Sequence, residues 1–89
     1  MYHVEVTNRP YAGNVPEDAW IRVSHHRLAR PAAKRLRAES EWRTDGNSRS
    51  GETRCVDDAG NLYYDETDFY DGLHLIRMDS EGVVVARVF

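Results

Sequence analysis

The sequence predicts an α+β domain: a mainly antiparallel sheet of four to six strands with one α-helix, about residues 29–43, packed on one face, in the order β(β)αββββ. Three observations carry that expectation. Tyr2, Val4 and Val6 alternate with His3, Glu5 and Thr7, the period of a half-buried strand. Residues 28–43 are rich in Ala, Arg, Lys, Leu and Glu, all strong helix formers. Two tetrapeptides of the form Asp-x-x-Gly, at 57–60 and 79–82, are each flanked by strand-like sequence.

The elements follow in order. Asn8-Arg9-Pro10 ends the first strand, and residues 12–16 (Ala-Gly-Asn-Val-Pro) are punctuation. Ala19 to Ser24 reads as a short second strand, with Ile21 and Val23 on one face and Trp20 and Arg22 on the other. Pro16-Glu17-Asp18 is also suited to open a helical turn there. The helix must begin near Leu28 to Arg30, because Pro31 is tolerated only in the first turn, where its missing N–H costs no intrahelical bond. Leu28, Ala29, Ala32, Ala33, Leu36 and Ser40 then share a face whose small residues let the helix lie close to a sheet. Arg35–Glu39 and Arg37–Glu41 are i, i+4 pairs that offset the late placement of both glutamates against the helix dipole. Residues 44–51 form a polar run of turn formers, read as a mobile loop. The Asp-x-x-Gly turns then define two hairpins, 52–56 with 62–64 and 73–78 with 83–89. The strand 83–89 is apolar on both faces, which suggests a central strand covered on both sides. Trp20 and Trp42 read as core or helix-packing residues.

Eighty-nine residues make one small domain, 1–89, which can bury about two-thirds of its surface around one modest core. No apolar run approaches the ~20 residues of a membrane-spanning helix, and the opening residues lack the basic and apolar regions of a secretory leader. The one cysteine, Cys55, cannot form an internal disulfide, so a reducing cytoplasm is the expected compartment.

Charge is unevenly laid out. The net charge is −3, but residues 20–54 hold nine basic and four acidic groups, while residues 55–89 hold two basic and eight acidic ones. If the basic and acidic segments neutralise each other in the fold, neither is a free electrostatic surface.

The most unusual stretch is residues 62–72, with four aromatics, four carboxylates and no basic residue. Tyr63, Tyr64, Asp65, Asp68, Phe69, Tyr70 and Asp71 are the candidate partner-binding residues. Tyrosine buries much area at little entropic cost, and carboxylates beside it steer a basic partner. The alternative is a hairpin strand with core aromatics running into a solvated acidic loop. A second candidate surface is the basic helix, with Arg27, Arg30, Lys34, Arg35 and Arg37 able to contact nucleic acid in a major groove. The acidic C-terminal half opposes that use.

Other chemistry finds little support. The carboxylates between 57 and 71 match no calcium-loop spacing, and the four histidines match no zinc spacing. Cys55 lies in a predicted strand as a small apolar residue. Phosphate-binding glycine loops and nucleophile-elbow motifs are missing from the sequence. The expectation is therefore a non-enzymatic chain without a cofactor or metal.

In size, acidity and α+β layout the chain resembles small single-domain proteins of phages and mobile elements, including some anti-CRISPR inhibitors. That resemblance implies an inhibitor that occupies a partner's basic or nucleic-acid-binding surface, and it rests on no aligned motif. A third expectation is self-association: were strand 83–89 at a sheet edge, it could pair with a second copy.

Overall fold

The computed structural model describes residues 1–11, 13–44, 51–70 and 72–89. Strands β1 (Tyr2–Val6) and β2 (Ile21–His26) precede helix α1 (Ala29–Thr44), and β3 (Thr53–Asp57), β4 (Leu62–Asp68), β5 (Gly72–Met78) and β6 (Val84–Arg87) follow it. They form one six-stranded sheet in the order β2-β1-β3-β4-β5-β6, with every neighbouring pair antiparallel. The α+β class, the single helix and the element order are those the sequence predicts. The polar run at 45–50 lies outside the described residues.

Both readings of residues 16–24 hold, in sequence. A 3₁₀ turn spans Glu17–Ala19, and β2 begins at Ile21. The two Asp-x-x-Gly turns are built alike. Gly60 donates its N–H to the Asp57 carbonyl at 3.0 Å, and Gly82 donates to that of Asp79 at 3.1 Å. Gly60 and Gly82 have φ of 86° and 80°, the left-handed region where a side chain would be strained. In each turn the Asp carboxylate accepts two later backbone N–H groups, from Ala59 and Asn61 and from Glu81 and Val83.

The core lies between α1 and the sheet. Val4, Ala32, Ala33, Leu36, Cys55, Tyr63 and Leu75 form its buried cluster. Ala32 and Ala33 are fully buried, and their small side chains let the helix axis approach β1 to β5. The predicted helix face is right except at Leu28, which lies before the first helical turn and is exposed. Neither tryptophan reaches this cluster. Trp20 packs on the opposite face of the sheet beneath Arg54, and Trp42 lies exposed beside Arg43.

Two expectations about the C-terminal half are corrected. The acidic segment 65–68 is not a loop: β4 continues to Asp68 and pairs with β5 through seven successive partners, from Leu62↔Met78 to Asp68↔Gly72. And β6 is not a covered central strand. It pairs only with β5, at the edge of the sheet, and all four of its residues are exposed. An apolar strand reads alike in sequence whether its own chain or something else covers it.

Candidate functional site

The sheet face opposite the helix is closed mainly by a polar network. The Glu5 carboxylate accepts from Arg54 Nε at 2.8 Å and from Arg22 Nε at 3.1 Å. Arg54 also donates to Glu17 at 3.0 Å and lies over the Trp20 ring at 4.1 Å. Beside it, His3 Nδ1 lies 2.9 Å from His25 Nδ1, so one ring must carry the shared proton, while His3 Nε2 lies 2.6 Å from Asp58 Oδ1. Sequence spacing could not foresee this pairing, which depends on the β1–β2 register His3↔His25. His26 points away to the Ser24 hydroxyl, and burial, then the charge of Arg35, hold its pKa low. Among the described residues no three His, Cys, Asp or Glu side chains converge as a metal site would require.

Cys55 sits buried under the helix. Burial first, then the charges of Asp57 and Glu5, push its thiol up to about 12, so the sulfur is held as a protonated, packed group.

The strand pleat scatters the seven candidate residues of the acidic, tyrosine-rich stretch. Tyr63 points to the helix side and is buried. Its hydroxyl donates to Asp57 Oδ2 at 2.8 Å, and its ring meets Tyr2 edge-on at 5.2 Å. Burial, then the bond to Asp57, push this phenol up to about 12. Asp65 also faces the helix, 3.8 Å from Arg37 Nη1. Tyr64 faces the other side, in a cleft with Trp20 and Arg54. Asp71 lies outside the described residues. That leaves the end of the β4–β5 hairpin. There Asp68 Oδ1 accepts the Tyr70 N–H at 2.8 Å, fixing the turn. Phe69 and Tyr70 stand 94% and 90% exposed, their rings edge to face at 5.2 Å.

The basic helix is largely engaged by its own neighbours. Arg35 donates to Glu39 at 3.0 Å and Arg37 to Glu41 at 2.8 Å, the two predicted i, i+4 pairs. Arg43 closes on Glu39 at 2.7 Å, and with Arg35 it holds that carboxyl below its usual range against the opposing effect of burial. Through Arg37 and Asp65 the basic helix and the acidic strand meet. Arg27 is exposed just before the helix. Arg30 lies over the Phe89 ring at 5.5 Å. Arg30 and Lys34 border a cleft of about 360 Å³ with Gly72, Leu73, His74 and Phe89, next to the hairpin tip.

Comparison with protein-family models, with curated proteins and with solved structures finds no match.

Proposed function

We propose that the protein is a non-enzymatic protein-binding module that docks through the tip of the β4–β5 hairpin. The observation that supports this reading is the pair Phe69 and Tyr70, adjacent, mutually packed and almost fully exposed. Large rings with so little contact to their own fold are the composition of an interface anchor. The Asp68–Tyr70 hydrogen bond holds the backbone that carries them, which lowers the ordering cost of docking. Glu66 and Asp68 precede them in β4, which suits a partner pocket that is apolar inside and basic at its rim. Such a module acts by occupying its partner's surface, as an inhibitor or adaptor does, and the reducing cytoplasm is its proposed place of action. No described helix is long and apolar enough to cross a membrane.

The test is recovery of partners from host lysate with the wild-type chain and with Phe69→Ser plus Tyr70→Ser, each with and without nuclease. A nuclease-resistant protein partner captured by the wild type and lost by the variant is the expected result. Equal capture by a folded double variant would remove the tip from the interface.

A second reading draws on the cleft beside the tip. Arg30, Lys34 and His74 border it, and exposed rings next to basic groups suit a single-stranded nucleic acid. It narrows the basic candidates to Arg27, Arg30 and Lys34, of which the last two border the cleft, since Arg35 and Arg37 are bound to Glu39 and Glu41. Oligonucleotide binding that weakens with salt and with Arg30→Glu plus Lys34→Glu would favour it.

A further inference from the structure

The two edges of the sheet differ in a way that bears on assembly. Edge strand β2 carries Arg22, Ser24, His25 and His26, and Arg22 is tied into the Glu5 network. Polar and charged groups of this kind blunt an edge against further pairing. Edge strand β6 is less protected: its only charged residue is Arg87, it contains neither Pro nor Lys, and Val83, Val84 and Val85 leading into and along it are each about half exposed, at 54%, 50% and 52%. A register shift at Arg77/Met78 places Val84 opposite Met78 and Ala86 opposite Arg77, leaving Val85 as the extra residue of a bulge. Val85 borders a shallow cleft of about 490 Å³ where Leu62, Met78 and Ala86 lie among the polar Asn61, Arg77 and Asp79. Opposite charges lie at its two ends, with Asp79 and Glu81 before it and Arg87 at its close.

We propose that β6 is a homodimer seam, in which the strand lies antiparallel against β6 of a second copy across a two-fold axis. Charge complementarity selects this occupant and its direction. An antiparallel copy brings Arg87 of each chain, whose Nη1 lies 3.4 Å from its own His74 Nε2, toward the acidic turn of the other, whereas a parallel one would set like charge on like. A two-fold axis places the exposed valines of the two copies side by side. The seam is separate from the Phe69–Tyr70 tip, and each stands or falls alone. A strand of this length buries less than the ~800 Å² per partner of a standard interface, so the dimer belongs to the weak, concentration-dependent class.

Sedimentation over a range of concentrations tests the seam, with circular dichroism to establish the fold of each variant. The wild type is expected to pass from monomer to dimer as concentration rises. Val84→Lys plus Val85→Lys should weaken self-association by at least about tenfold while leaving the spectrum unchanged, because both side chains are exposed in the monomer. Arg87→Glu should weaken it too, and adding Glu81→Arg to that variant should restore it. A wild type that stays monomeric at its highest attainable concentration overturns the proposal. So does a dimer indifferent to the two lysines, and a charge swap that restores nothing overturns the antiparallel arrangement.

Discussion

At one end of the sheet, β1 and β3 commit nearly every side chain to the fold. At the other, β6 and the β4–β5 tip leave theirs in solvent. Val4 and Cys55 are fully buried beneath α1, and on the reverse face Glu5 holds two arginines at once. Residue for residue the far end is no less apolar, with Phe69, Tyr70 and four valines, yet all six are exposed. Apolar residues are thus spread along the whole chain, but those of β6 and the hairpin tip lie outside the core to which Tyr63 and Leu75 of the neighbouring strands belong. Exposed apolar groups contribute little to stability, and it is on these residues that the proposed contacts rest.

Substitutions can break this contrast. The largest effect should come from the packed end. Leu36→Ala opens a cavity at a fully buried site between helix and sheet, and should cost roughly 2–5 kcal/mol in a urea denaturation curve. Glu5→Gln should cost about 2–3 kcal/mol, because Arg22 and Arg54 lose their shared carboxylate and the nearly buried Arg54 keeps only the exposed Glu17 as counter-charge. Adding Arg54→Met to that variant should recover part of the loss, since the stranded charge is then removed as well.

Acid sharpens the comparison further. Burial tends to raise the Asp57 carboxyl, but donors from Asn61, Tyr63 and Ala59 outweigh it and hold the pKa down at about 2. A folded pKa below the unfolded value of ~3.9 stabilises the native state above that pH, and the gain disappears as pH falls from about 4 to 2. Asp57→Asn should flatten stability across that window and cost on the order of 1 kcal/mol at neutral pH, the partial exposure of the group being allowed for. The smallest effects belong to the open end. Phe69→Ser plus Tyr70→Ser, and separately Val84→Lys plus Val85→Lys, should each change monomer stability by no more than about 0.5 kcal/mol in the same denaturation assay. A large loss from either pair would show that the open end supports the fold after all.

The sequence was most readable where structure is local. Pro31 sets the helix start, Asp57 and Asp79 with their glycines set two turns, and Arg35–Glu39 and Arg37–Glu41 form at the spacing that predicts them. It was least readable where the outcome depends on distant segments. Tyr63, Asp65 and Phe69 sit within seven residues, yet one is in the core, one faces Arg37 and one is in solvent. Composition grouped them, and the pleat of β4 separated them. The candidate site therefore shrank from a whole acidic stretch to its two most exposed rings.

The sequence by itself determined the class of fold, the helix and the turns, because proline placement, periodicity and positive φ act over a few residues. Only the tertiary structure decided that β6 is an edge, that His3 meets His25 and that the basic helix touches the acidic strand. Those facts depend on strand order and register, which come from side chains far apart in the chain packing against one another and leave no mark on any one local stretch.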